Sequence, residues 1–118
     1  MTLVSVSTAG AQQNKEYWGA RMCDLSDDGR YVAWVTLATN LSGYDVHGSD
    51  RDVYLRDLVS GTTTLVSIAY LGTQRDTGWE PSVSADGSLV SFTSNSWLMH
   101  PDDSDSNDDV FVWHRATT

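Results

Sequence analysis

An internal duplication constrains this chain more than any other feature of its sequence. Three sequence blocks occur twice in the same order, at a spacing of about 60 residues. The paired blocks are LVSVSTAGAQ (from Leu3) with LVSIAYLGTQ (from Leu65), LSDDGRYVAW (from Leu25) with VSADGSLVSF (from Val83), and DRDVYLRDLVSGTT (from Asp50) with NDDVFVWHRATT (from Asn107). A period of this size is typical of solenoid and propeller units, or slightly above it, so we expect two structural copies of one repeat.

Each copy is predicted to consist of β-strands. Runs such as YVAWVT and LVSFTS alternate in polarity and are rich in β-branched and aromatic residues, a pattern that favours strands. Asp28-Gly29 and Asp86-Gly87 each precede one of these runs, and Ser60-Gly61 separates two others. Glycine supplies the positive φ that a tight hairpin needs, so these pairs predict hairpin turns. We find no sustained apolar stripe at helical spacing.

The turns divide each copy into a four-stranded antiparallel meander. Strands A to D of the first copy are predicted at Ala20–Leu25, Tyr31–Thr36, Asp52–Leu58 and Thr63–Ile68, whereas the second copy holds only strands A to C. Such meanders bury their faces against neighbouring repeats, which predicts an all-β fold of β-propeller blades. Residues 1–118 then form a single two-blade unit, with repeat one at about 3–64 and repeat two at about 65–118. A β-sandwich is the alternative.

Four aromatic residues occupy matching positions in the two copies and are the predicted contacts between blades. They are Trp34, Tyr54, Phe92 and Phe111.

The two ends of the sequence divide one motif between them. The chain opens on MTLVSV (1–6) and closes on RATT (115–118), and tail joined to head they resemble SGTTTLVSI (60–68). The repeat is therefore cut at the C–D hairpin. We expect the N-terminal strand of one copy to become the outer strand D of the last blade of the next, in a head-to-tail contact that closes into a ring.

Two blades per chain allow only even blade totals in such a ring. A trimer would give six blades and is preferred, and a tetramer would give eight. The alternative is that the chain is an excised or engineered fragment of a longer parent that supplies the other blades.

Charge excludes some partners. The formal net charge is -9, with 16 acidic against 7 basic residues, and this disfavours nucleic acid and anionic membranes because both require a basic surface. No apolar run is long enough for a transmembrane helix, and the N-terminus does not resemble a signal peptide, so the chain as given is expected to be soluble. Cys23 is the single cysteine; we expect it to be a small buried apolar residue.

The acidic loop HPDDSDSNDDVFV is the candidate metal site. Oxygen ligands recur at alternate positions, at Asp103, Asp105 and Asn107, and Asp109 follows. Ca²⁺ favours hard oxygen ligands with this spacing, because a turning loop can direct alternate side chains inward. The glycine and the terminal acid of an EF-hand loop are absent. The alternative interpretation is a solvated acidic loop without a metal.

Three tryptophans are the candidate ligand-binding residues. Trp18 and Trp79 flank the start of strand A, and Trp97 lies in the long acidic loop. An aromatic ring beside carboxylates can hold a sugar or a cationic side chain through stacking and cation–π attraction. The alternative role for each ring is packing beneath a loop.

No catalytic residues are predicted. His47, His100 and His114 lack the close spacing and partner cysteines of a zinc site. No serine lies in a Gly-x-Ser-x-Gly elbow. We therefore do not expect an enzyme.

The repeat resembles a known family. SADGSLVSF and SDDGRYVAW, each followed by an acidic loop, and then DVYLRDLVSGTTTLVSI resemble the TolB-type, WD40-like propeller repeats known as PD40. The most specific matches are Ser84, Asp86, Gly87 and Phe92, with Asp52, Val53, Tyr54, Asp57 and Gly61. The resemblance covers essentially the whole chain, twice. It implies a propeller of six to eight blades that acts as a binding platform, with no shared catalytic set, and an exported or periplasmic bacterial parent.

These observations predict a non-catalytic β-propeller scaffold. It would self-assemble and present an acidic loop face to a protein or peptide. One alternative is a carbohydrate-binding, lectin-like propeller that binds glycans through the same loops. Another is a fragment of a larger propeller-bearing hydrolase or exported protein, whose active residues would lie outside this chain.

Overall fold

The computed structural model of the chain describes residues 1–14, 20–42, 51–68, 77–96 and 99–115. Within these residues the fold is all-β, and no helix is long and apolar enough to cross a membrane. The described strands are β1 (Arg21–Leu25), β2 (Tyr31–Thr36), β3 (Asp52–Asp57), β4 (Thr62–Leu65), β5 (Trp79–Val83), β6 (Leu89–Ser94) and β7 (Asp109–His114).

The strands form two antiparallel sheets, one from each repeat. The first sheet has the order β1-β2-β3-β4, and the second has the order β5-β6-β7. This confirms the two predicted meanders and their strand content. The predicted strand D is longer than β4, which ends at Leu65. The hydrogen-bond ladder between β3 and β4 stops at Leu65, because the Val53 N–H donates to the hydroxyl of Ser67 (3.0 Å) instead of to a backbone carbonyl.

The hairpin turns confirm the role of glycine. Gly29 and Gly87 both have a φ of +73°, and in each turn the preceding aspartate accepts a hydrogen bond from the backbone N–H two residues on, at 3.0 Å. Asp28 and Asp86 do not themselves have positive φ. Each turn therefore needs one left-handed residue, and the aspartate carboxylate satisfies the turn backbone.

The two sheets pack against each other through opposite faces. In the first sheet, Ala33, Val35, Val53 and Leu55 project from one side, here called the Val53 face, whereas Trp34 and Tyr54 project from the other, the Trp34 face. The second sheet has the equivalent sides, a Phe92 face and a Val110 face. The main core joins the Val53 face of the first sheet to the Phe92 face of the second.

Hydrogen bonds also connect the sheets. The Val83 N–H donates to Asp24 Oδ2 (2.7 Å), and the Asp28 N–H donates to the Ala85 carbonyl (3.2 Å). Tyr31 lies at the same junction, against the backbone of Gly87. The guanidinium of Arg115 stacks 4.6 Å from its ring centroid. The junction is thus apolar at its centre and polar at its turns.

The predicted aromatic contacts are only partly correct. Phe92 lies in the core between the sheets, and Phe111 packs beside it with the ring centroids 5.9 Å apart. Trp34 and Tyr54 stack on each other at 5.8 Å, but in a second cluster on the far side of the first sheet. Trp34 and Tyr54 lie on the face of the first sheet that is equivalent to the Phe92 face of the second. The junction joins unlike faces of the two sheets, so it buries this face in the second sheet and leaves it on the far side of the first.

The expectation for Cys23 is wrong. This residue is exposed, and so are most residues of β1, which in the described chain pairs only with β2. A bulge between Arg21 and Asp24, with Met22 at φ 52°, interrupts the regular alternation of the strand. The bulge turns these side chains towards solvent.

Candidate functional site

A groove runs along β7. Its volume is about 780 Å³, and its apolar wall combines the second sheet with Val66, which follows β4 of the first repeat. The residues that define it here are Val66, Phe92, Met99, Asp103, Phe111 and Trp113. We call this cavity the β7 groove. Its walls come from distant parts of the chain and meet because the two sheets stack.

The groove borders an unpaired strand edge. Within the described ranges β7 pairs only with β6, whereas the equivalent strand β3 pairs with both β2 and β4. The outer edge of β7 therefore presents backbone donors and acceptors in the position where the first repeat has its fourth strand. Such an edge is a template for pairing with another segment.

The Val110 face of the second sheet is also uncovered. Val110 and Val112 are 74% and 53% exposed, whereas the equivalent Val53 and Leu55 are 0% and 3% exposed. The difference arises because the second sheet covers the Val53 face, and no described residues cover the Val110 face to the same extent. An apolar stripe beside an open strand edge is typical of an interaction surface.

The N-terminal segment lies against the outer strand of the first sheet. Val4 packs on the Trp34 face, and the Val6 carbonyl accepts a hydrogen bond from Thr63 Oγ1 (2.6 Å). The segment forms one isolated bridge, Val6 with Gln12, instead of the predicted strand. Leu3 is 59% exposed, although its equivalent Leu65 is only 6% exposed. In the described part of the chain, Leu3 lacks the pairing with a neighbouring strand that Leu65 has with Tyr54 of β3.

The acidic loop brings three of the four predicted metal ligands together. Oxygen atoms of Asp103, Asp105 and Asp109 all lie within 4.8 Å of one another. The Asp105 N–H donates to Asp103 (3.3 Å), and the Asn107 N–H donates to Asp105 (3.0 Å). These bonds curl the loop so that alternate carboxylates approach. For Asn107, the structure shows this backbone contact with Asp105.

Electrostatics in the loop oppose full ionisation. Partial loss of hydration raises the pKa of Asp109 above its ordinary value, and the neighbouring charges of Asp103 and Asp105 add to the increase. Asp103 Oδ2 is shielded from solvent and accepts no hydrogen bond from the described residues. A cation would relieve this repulsion, and the three oxygens match the ligand type of Ca²⁺.

Of the three candidate tryptophans, Trp79 lies within the described residues. Trp79 is only 9% exposed and belongs to the core between the sheets, and the guanidinium of Arg51 lies 4.2 Å from its ring centroid. This placement gives Trp79 a packing role rather than a ligand platform. Trp18 and Trp97 lie outside the described residues.

Sequence reasoning did not find the β7 groove, since Val66 and Met99 reach it only through tertiary packing. One signal was present in the sequence: Val110 and Val112 repeat the apolar positions Val53 and Leu55 of β3, which predicts burial that the described residues do not provide.

Comparisons with protein-family models and with curated proteins find no match for this chain.

Proposed function

We propose that this chain is a non-catalytic β-propeller scaffold, with blades of the TolB-type, WD40-like kind, that self-assembles head to tail into a closed ring. The observation that supports this proposal is the packing between its own two sheets. The Val53 face of the first sheet meets the Phe92 face of the second, so the contact joins two different faces. Contacts of this type are not self-limiting and close only as rings.

Repetition of the contact defines the interface between copies. The uncovered counterpart of the Val53 face is the Val110 face, and the counterpart of the Phe92 face is the Trp34 face with Val4 packed over it. Val4 lies on the Trp34 face as its equivalent Val66 lies in the core beside Phe92. The next copy would thus place its first sheet on the Val110 face and its N-terminal segment along the open edge of β7, as β4 lies along β3. Six blades from three copies is the preferred ring, and eight blades from four copies is the alternative.

The assembly is tested by charge substitution on the exposed face. A Val110→Lys/Val112→Lys variant should fold as a monomer, because both side chains are exposed in the single chain, whereas burial of two ammonium groups at an interface is strongly unfavourable. The wild type should elute at three or four times the 13.0 kDa chain mass in size-exclusion chromatography with light scattering.

The matched control is Val59→Lys. Val59 is as exposed as Val110 but lies in the β3–β4 turn, so this variant should assemble normally. A monomeric wild type, or a double-lysine variant that still assembles, contradicts the proposal. Circular dichroism with the native β-signal verifies that each variant is folded.

The proposed binding surface is the side of the ring that carries the long connections. In the first repeat these connections meet, because the Asn14 side chain donates to Thr39 (2.7 Å) and Asn40 donates to the Gln12 carbonyl (2.7 Å). The corresponding connection of the second repeat contains the exposed acidic loop. A net charge of -9 attracts basic partners. We propose a protein or peptide ligand with lysine or arginine side chains.

A titration with a fluorescent arginine-rich peptide tests this assignment. Binding should weaken as ionic strength rises, because exposed charges are screened, and a neutral peptide of the same length is the control. A glycan array tests the carbohydrate-binding alternative. Specific glycan binding without peptide binding would favour that alternative.

A further inference from the structure

We infer that residues 1–6 of a second copy pair with the open edge of β7 in one defined register, with Leu3 opposite Phe111 and Thr2 opposite Val112. The inference rests on the proposed self-assembly and adds the register that makes the contact specific. The second copy is the occupant because its N-terminal segment repeats the strand that occupies this position in the first sheet.

The first repeat supplies the template for the register. There, β4 pairs with β3 so that Leu65 lies opposite Tyr54 and Thr64 lies opposite Leu55. The segment TLVSV at 2–6 matches TLVSI at 64–68, and DVFV at 109–112 matches DVYL at 52–55. Transfer of the pairing gives Leu3 with Phe111 and Thr2 with Val112.

Polar groups at the end of the template pairing support the same register. In the first repeat, the Ser67 hydroxyl accepts the Val53 N–H (3.0 Å) and donates to Asp52 Oδ1 (3.4 Å), and Asp52 is fully buried. The equivalents of these residues are Ser5, Val110 and Asp109, of which Asp109 and Val110 are exposed. In the transferred register Ser5 of the second copy meets both, whereas a one-residue shift would separate them.

The alternation of side chains lets one segment serve two copies. Val4 is anchored on the Trp34 face of its own first sheet, while Leu3 points the other way and is exposed. Successive strand residues face opposite sides of a sheet. Leu3 can therefore enter the β7 groove beside Phe111 while Val4 keeps its own anchor. The equivalent residues Leu65 and Val66 are likewise divided between the two clusters.

Disulfide trapping tests the register. In a Cys23→Ala background, Thr2→Cys/Val112→Cys places two thiols at opposed positions, within the Cα separation that a disulfide allows. Leu3→Cys/Val112→Cys is the matched control, because a shift of one residue directs the two side chains to opposite faces. Both proteins are oxidised mildly at the same concentration, and light scattering measures their assembly before oxidation.

The in-register pair should give a covalent ladder of chains on a non-reducing gel, and the control should give at least tenfold less. Equal trapping of both pairs, trapping of the control alone, or no trapping in an assembled protein overturns the register and leaves self-assembly standing. A fast-migrating monomer, which indicates a disulfide within one chain, overturns the exchange. A monomer by light scattering contradicts the proposed function as well.

Discussion

The two repeats have closely matched sequences but different surroundings. The first sheet has four strands and apolar clusters on both faces, whereas the second has three described strands, an open edge and an uncovered face. Val53 and Val110 occupy the same position, yet one is fully buried and the other is 74% exposed. Local sequence determines the strand, and a neighbouring repeat determines whether its side chains are buried.

The largest expected difference between the repeats concerns their turn glycines. Gly29 and Gly87 share a φ of +73°, but a Cβ on Gly29 would meet open space, whereas one on Gly87 would overlap the Tyr31 ring. We expect Gly87→Ala to lower the free energy of unfolding by about 3 kcal/mol, combining backbone strain with overpacking, and Gly29→Ala to lower it by about 1 kcal/mol, from strain alone. Urea denaturation of both variants measures the difference.

Equal losses in the two variants would show that the Tyr31 ring moves aside, and the junction between the sheets would then be looser than its packing indicates. Comparison of a Tyr31→Ala/Gly87→Ala variant with Tyr31→Ala alone separates the contributions, since without the ring the change at position 87 adds only backbone strain.

The next effect concerns an ion pair that the second repeat lacks. Arg30 contacts both carboxylate oxygens of Asp57 at 2.8 Å, and the equivalent residues are Ser88 and His114. The hydrogen bonds from Arg30 lower the pKa of Asp57 well below its ordinary value. An aspartate with a depressed folded-state pKa contributes stability above its unfolded pKa of about 4, and that stability is lost as the pH falls towards the folded pKa.

We therefore expect Arg30→Met to lower stability at pH 7 by less than half the loss in Gly87→Ala, because Arg30 is 41% exposed and solvent screens the pair. The variant should also lose less stability than the wild type when the pH is lowered from about 5 to about 2, because this is the range in which the carboxylate of Asp57 begins to take up a proton. Arg56→Met is the control, because the Arg56 guanidinium bonds to the Ser7 carbonyl and to Thr63 Oγ1 instead of to a carboxylate. Parallel pH profiles for Arg30→Met and wild type would contradict a role for this pair in acid stability.

The smallest effect concerns calcium, which we expect to bind to the acidic loop of the second repeat. Binding should raise the melting temperature by about 5 °C when Ca²⁺ is roughly tenfold above its Kd, and EDTA should reverse the shift. Asp103→Asn should abolish the response, whereas Asp27→Asn, in the β1–β2 turn, should preserve it. An unchanged melting temperature in the wild type with millimolar Ca²⁺ would rule out the site.

Sequence patterns predicted most of the strands because these depend on local alternation and turn chemistry. The bounds of β2 agree with the predicted Tyr31–Thr36, and the predicted gathering of acidic side chains holds for Asp103, Asp105 and Asp109. Features that depend on distant contacts were not predictable in this way. Trp79 is buried partly because Arg51 reaches over it from the first repeat, and Cys23 is exposed because β1 bulges at the edge of its sheet.

The greater acidity of the loop in the second repeat has a consequence for avidity. A ring of identical two-blade chains would display this loop once per chain, at equal spacing around one side, and the less acidic β2–β3 connections of the first repeat would alternate with it. A ligand whose binding motif recognises a single loop weakly would bind the ring much more tightly if that motif repeats at the same spacing. Each further contact would then form at a high effective concentration. Such a scaffold would discriminate between targets by their periodicity as well as by their charge.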